Sequence, residues 1–317
     1  MQQRPQAKPA VGVVFDSDMS GIGDVLALAL LYALDGKSEM RVVSLSVTNA
    51  DLQAAAFCDA VRRFYAAGGF FRGLPVGLAG NSRMPGRSNP MLAEPLARRN
   101  AQGQPVYPHE IEKLTDTAEP HPLIRNALTA QHDGNAVVVL AGPATNLVKT
   151  LELPGVKELV QNKVRFLAMT GGAGLDADPA AAKQLLASWP TSIVIAGQDV
   201  GEALPFPGEC VETDFSWAAS HPLVDAYRAH KPMPYDTPSP EMAAALHALR
   251  PDAGYFKLSE PSADGKVRRL IADPTQKDRV IKTYRELVSA KPVPRRPRFA
   301  PQQQQQAPRP KPKPEAK

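Results

Sequence analysis

Short, continuous apolar runs alternate with helical stretches along most of this chain, and that alternation limits the fold more than any other feature. Residues 11–15 (VGVVF), 40–47 (MRVVSLSV), 136–141 (AVVVLA), 164–169 (VRFLAM) and 192–196 (SIVIA) read as strands buried on both faces. Residues 74–79 make a further, shorter candidate. Helices are predicted between them at 24–34, which is apolar nearly all round, and at 51–67, opened by Asp51. Others follow at 122–132, at 143–153 with proline in the first turn, and at 178–188, where Asp178-Pro179 is a cap followed by a first-turn proline. The C-terminal third is more helical, with helices predicted at 221–230, 241–250 and 275–289 and a hairpin between 255 and 271. Strand and helix in turn predict an α/β fold: an open, mostly parallel sheet with helices on both faces. Residues 81–120, dense in Pro, Gly, Asn and Arg, predict a long surface excursion.

The ends differ from the middle. Residues 1–10 are Gln- and Pro-rich, and residues 291–317 form a Pro/Gln/Lys segment too poor in apolar groups to order itself. The organisation is therefore one domain over 11–290 between two disordered ends. Net charge is +5, but the tail holds eight Lys or Arg against one Glu, a surplus of seven, so the 290 residues before it carry about −2. That balance excludes a nucleic-acid-binding face on the folded part. No apolar run approaches the roughly 20 residues of a membrane helix. No targeting segment is visible, which makes the cytoplasm the default compartment and an exported chain with its signal removed the alternative. Homo-oligomers are compatible with all of this. The cysteines, Cys58 and Cys210, read as buried small hydrophobes, and the six histidines show no metal-ligand spacing.

Ligands of open α/β sheets bind beyond the carboxyl ends of the strands, so the residues directly after each strand carry the chemistry. After the first strand come Asp16, Asp18 and Asp24 on a Gly-punctuated turn into a helix. Three carboxylates this close repel one another unless a cation or tight hydrogen bonding compensates. Oxygen ligands on a loop suit Ca²⁺ or Mg²⁺ better than zinc. The competing reading is that Asp24 caps the helix and Asp16 or Asp18 accepts from backbone amides.

The D-x-D…G-I-x-D start resembles the N-terminal signature of the inosine/uridine-preferring nucleoside hydrolases. Further segments resemble the family in the same order: Ser46-Val47-Thr48-Asn49, then Ala141-Gly142-Pro143-Ala144-Thr145-Asn146, then Met169 to Gly172 followed by Asp178-Pro179-Ala180-Ala181-Ala182. The last is Ser239 to Pro251, similar to the family's S-W-D-x-x-A-x-L-x-A-x-R-P segment. The resemblance covers about residues 11–290. It implies one bound Ca²⁺ and hydrolysis of the N-glycosidic bond of a nucleoside or related glycoside. By position, Asp18 would be metal ligand and general base, with Asp24, the backbone carbonyl of Ala141 and Glu241 completing the ligands. Asn49 would touch the sugar, and Asp16 would orient the others.

The departures from the family pattern are as specific. The family usually has two adjacent aspartates at the end of the first motif, the earlier gripping a ribose hydroxyl; here that position is Gly23. The C-terminal ligand is normally Asp; here it is Glu241, preceded by Pro240. The ribose-binding E-F-N segment is absent between Gly172 and Asp178, where Asp176 is the substitute on offer. These changes imply altered ribose recognition, with a catalytically impaired binding module as the alternative. Tyr227, Tyr235 and Trp217 are candidates for stacking on a base, against the more frequent core role. His247 reads as surface or packing. Gly171-Gly172 lacks the Lys-Ser/Thr that a phosphate loop needs, and there is no G-x-S-x-G elbow.

Overall fold

The computed structural model describes residues 9–66, 73–80 and 89–293. Among these residues there are eight strands: β1 (Val11–Ser17), β2 (Met40–Val47), β3 (Val76–Leu78), β4 (Ala136–Ala141), β5 (Val164–Thr170), β6 (Ser192–Ala196), β7 (Phe256–Leu258) and β8 (Val267–Ala272). They form one sheet in the order β3-β2-β1-β4-β5-β6-β8-β7, parallel throughout except for the edge pair β7 and β8. The expected 255–271 hairpin is that antiparallel pair.

Two apolar layers cover the sheet because its central strands alternate sides residue by residue. In β4, Val137, Val139 and Ala141 join the larger cluster on one face, while Ala136, Val138 and Leu140 join the smaller cluster on the other. The helices in chain order are α1 (Ile22–Gly36), α2 (Leu52–Ala66), α3 (Pro90–Ala97), α4 (Pro120–Thr129), α5 (Thr145–Leu151), α6 (Val156–Lys163) and α7 (Ala173–Asp176). After them come α8 (Pro179–Ser188), α9 (Gln198–Ala203), α10 (Glu209–Thr213), α11 (Pro222–His230), α12 (Pro240–Leu249) and α13 (Lys277–Val288). Helix α1 is buried from Ile22 to Asp35, as a sequence apolar all round requires, and it packs on α12 and α13.

One expectation needs correction. The stretch 81–120 is not a bare excursion: it contains α3, which Asn89 caps by accepting from Met91 N at 3.2 Å, and a 3₁₀ turn at Leu114–Asp116. Residues 81–88 of that stretch, like the outer parts of the two ends at 1–8 and 294–317 and residue 67 of the second helix, lie outside the described residues. Helices α6, α9 and α10 carry too few apolar positions to announce themselves in sequence. Among the described residues no helix is long and apolar enough to cross a membrane.

Strand order places the site. The chain runs outward from β1 through β2 to β3, then returns to β4 on the other side of β1 and continues away from it. The order therefore reverses between β1 and β4, and the crevice beyond their carboxyl ends is the position where such sheets bind ligands.

Candidate active site

At the carboxyl edge Ser17 lies level with Ala141 of β4 and Val47 of β2, so the loops following these three strands start side by side. Asp18 N donates to the Ala141 carbonyl at 3.3 Å. The loops approach so closely because they meet at glycines. A Cβ on Gly142 would lie 2.8 Å from Asp18 N, and one on Gly174 of α7 would lie 2.9 Å from Gly142 Cα. Met19, a buried residue with φ of 51°, turns the chain into α1 and donates from its N–H to Ser17 Oγ at 2.9 Å.

Asp16 is fully buried and held by three side chains. Ser46 Oγ and Asn146 Nδ2 donate to its Oδ1, the latter at 2.9 Å, and Thr48 Oγ1 donates to Oδ2 at 3.2 Å. Burial raises its pKa to about 6 despite those bonds. Its carboxylate joins the end of β1 to the end of β2 and to the start of α5.

Asp18, Asp24 and Glu241 form the second acidic group. Ser20 N donates to Asp18 Oδ1 at 3.1 Å. Asp24 accepts from Ser17 Oγ at 2.9 Å and from Gly21 N at 3.0 Å, so it does cap α1. Glu241 stands in the first turn of α12, where Ser239 caps the helix by accepting from Met242 N at 3.2 Å and donates to Glu241 Oε2 at 3.3 Å. All three acids have pKa values above the ordinary carboxylate range, with burial the first cause. The charges of Asp18 and Glu241 push Asp24 further, and the charge of Asp18 adds to the burial that takes Glu241 to about 7. None of the ion pairs among the described residues involves them. On α13, the buried Tyr284 hydroxyl has no hydrogen-bond partner among the described residues, and burial, with the charge of Glu241 adding to it, raises its pKa.

The expected ligands Asp18, Asp24, Ala141 and Glu241 are thus brought to one crevice. As they stand, no three or more His, Cys, Asp or Glu side chains among the described residues converge as a metal-holding group. Donor chemistry and charge nonetheless fit a hard divalent cation: all-oxygen, buried, mutually repelling and without a basic partner among those residues. Asn49 lies beside them, donating from Nδ2 to the Asp18 carbonyl at 2.8 Å and accepting from Asp51 N at 3.1 Å, so it braces the loop after β1. Asp176 ends the short α7, exposed, with its backbone N–H bonded to the Gly172 carbonyl.

The aromatic candidates have core roles. Tyr227 is fully buried and stacks on Tyr235 at 4.3 Å, and each hydroxyl donates to the other's backbone carbonyl. Trp217 donates from Nε1 to the Ser289 carbonyl at 2.9 Å. His247 is buried between Phe166 and Phe256, a packing residue. Cys58 and Cys210 are buried and free, as expected.

Sequence reasoning did not single out Ser17, Ser46, Thr48, Asn146 or Ser239 as site residues. The signal was present in part: Ser46 and Thr48 are two apart on a strand end, so they face the same side, and Ser46 is the register partner of Asp16.

Comparison with known proteins agrees with this fold. No curated protein sequence matches the chain. The fold of a Bacillus anthracis inosine-uridine preferring nucleoside hydrolase superposes with a TM-score of 0.60 at 15% identity, covering 88% of this chain and 99% of the other. A purine-preferring ribonucleoside hydrolase from Gardnerella vaginalis gives 0.62 at 16% identity, covering 88% and 98%. The type III effector protein XopQ, complexed with adenosine diphosphate ribose, gives 0.67 at 15% identity, covering 90% and 96%. At such identities these likenesses establish the fold alone. The profile of the inosine-uridine preferring nucleoside hydrolases, however, matches residues 13–277, and with that span the chain belongs to this family of N-glycosyl hydrolases.

Proposed function

We propose that this protein hydrolyses the N-glycosidic bond of a nucleoside or a related small glycoside, using a Ca²⁺-type cation held by Asp18, Asp24, the Ala141 carbonyl and Glu241. The observation that carries the reading is the set of three buried, mutually repelling carboxylates at the point where the strand order reverses. When bound, the cation would supply positive charge against these acids and against the electron-rich oxygens of a sugar and a water.

The chain's own groups do the remaining work. Asp18 takes a proton from the attacking water on its carboxylate, its loop held by Ser20 N and by the Asn49 amide. The water oxygen attacks the anomeric carbon, and the base leaves with the bonding electron pair. Asp24, clamped by Ser17 and Gly21, and Glu241, held by Ser239, present negative charge to the sugar side, where the departing base leaves an oxocarbenium-like ring. Asp16 orients the Asp18 strand end from below. Asn49 and Asp176 are the substrate-binding candidates, and Gly23 leaves ribose recognition altered.

The test is calorimetric titration of Ca²⁺ into chelator-treated protein beside Asp18→Asn and Asp24→Asn. Tight binding in the wild type, lost in both variants, supports the cation site; no heat at millimolar Ca²⁺ sinks it. A second reading, a binding module without turnover, is favoured by the exposed Asp176 standing where a ribose-gripping segment is missing, and by the nucleotide-sugar complex of XopQ. Release of free base from a panel of nucleosides by the Ca²⁺-loaded protein decides between them.

A further inference from the structure

Gly23 sits in the first turn of α1, buried, directly beneath the carboxylate of Glu241. A Cβ built on Gly23 would lie 2.9 Å from Glu241 Cδ, would overlap its Oε2, and would stand 3.2 Å from Ser239 Oγ. Real Cβ atoms do not approach other atoms so closely, so a side chain at position 23 requires the Glu241 carboxylate to move from this place. Ser239 keeps it there: its hydroxyl caps α12 and donates to the same Oε2.

We propose that Gly23 and Glu241 are one interdependent device: the empty volume at position 23 receives the longer acid, so the sugar-facing carboxylate at this point comes from α12 and not from α1. The extra methylene of a glutamate is what spans the gap from the α12 backbone to the α1 surface. Glu241 is then the specificity-determining acid, meeting a sugar hydroxyl as acceptor at the place that a side chain on residue 23 would otherwise occupy. This rests on the reading of the crevice as a glycoside site, but the pairing itself is steric and can be measured without substrate or cation.

A double-variant cycle on the full chain tests it. Thermal midpoints are measured in chelator for wild type, Gly23→Ala, Glu241→Asp and the double variant. Gly23→Ala in the wild-type background is expected to lower the midpoint by about 5 °C through overpacking. In the Glu241→Asp background, where the carboxylate withdraws by one methylene, the same change is expected to be neutral or to raise it. Ca²⁺ titrations of Gly23→Asp, Glu241→Asp and their double variant give the functional arm. Each single change is expected to weaken binding at least tenfold, and the double change to recover to within about threefold of wild type. Additive effects in the thermal cycle, or a double variant that binds Ca²⁺ no better than the worse single, overturn the proposal. Coupling in the thermal cycle with no Ca²⁺ heat from the wild type supports the pairing and overturns the cation reading instead.

Discussion

Asp16 and Asp18 stand two residues apart on one strand end, yet their surroundings give them separate tasks. Asp16 accepts from three side-chain donors across both of its oxygens, whereas Asp18 is held by Ser20 on Oδ1 and faces two other acids. Asn146→Ala removes a donor from a buried charged acceptor, which costs about 1–3 kcal/mol. The denaturant midpoint should fall accordingly at pH 7.5, with the slope of the transition unchanged; an unchanged midpoint would mean that Ser46 and Thr48 suffice. The spacing of Asp16, Asp18 and Asp24 was readable in sequence because carboxylates on a glycine-rich turn are costly and need a reason. The hydroxyls of Ser17, Ser46 and Ser239 were not readable. Serine is common: Ser17 and Ser239 bond within seven residues of themselves, as many serines at helix starts do, and the partner of Ser46 is set by strand register across 30 residues. Position 23 illustrates the same limit: the sequence presents Gly23 as a missing acid, and only the packing of α12 on α1 shows what fills its place.

At the scale of elements, the site depends on how α12 is seated. Gly201 of α9 meets the start of α12 backbone to backbone: a Cβ there would lie 2.6 Å from Pro240 Cδ, 2.8 Å from Pro240 N and 3.0 Å from Ser239 N. The neighbours are backbone and a proline ring, so neither rotates away. Gly201→Ala should therefore cost about 1–3 kcal/mol in thermal or chemical denaturation. It should also weaken Ca²⁺ binding, because the cap that holds Glu241 moves with Ser239; intact affinity in a destabilised variant would show that the two are separable. The strands and the long helices were legible because burial on one or two faces writes its period into the sequence. Helix α3 was not, since prolines at its first position and in its interior read as loop. Helix α6, with Val156 and Val160 as its buried residues, offers too little of a stripe.

For the molecule as a whole, the alternation of apolar runs with helical stretches leads to a doubly covered sheet, the order reverses between β1 and β4, and the acids of the β1 loop fall on that crevice. A second buried polar feature lies away from it and bears on acid stability. His221 caps α11, its Nδ1 accepting from Leu223 N at 3.2 Å, and its ring is packed among Phe64, Tyr65, Phe215 and Trp217. Burial depresses its pKa from 6.5 to about 3. The titratable groups around it are the Tyr65 hydroxyl, 3.5 Å from Nε2, and Arg98, Glu212, Asp225 and Arg228 along the adjoining groove. The folded pKa lies below the unfolded one, so this neutral histidine contributes stability above pH 6.5, and that stability is lost as pH falls from 6.5 towards 3. Between pH 7 and 4.5 the loss comes to about 3 kcal/mol, at 1.4 kcal/mol for each unit below 6.5. His221→Phe retains an aromatic ring but has no proton to gain. Its lost cap shifts the stability by a constant, so the comparison is of slopes. Denaturant unfolding of both proteins in chelator from pH 7 to 4.5 should show the wild type losing stability about 3 kcal/mol faster across the window. Contributions from the carboxylates of the crevice cancel in the difference. Parallel curves would mean that His221 takes up its proton in the folded state, and the aromatic enclosure would then have to open to water at mild acidity.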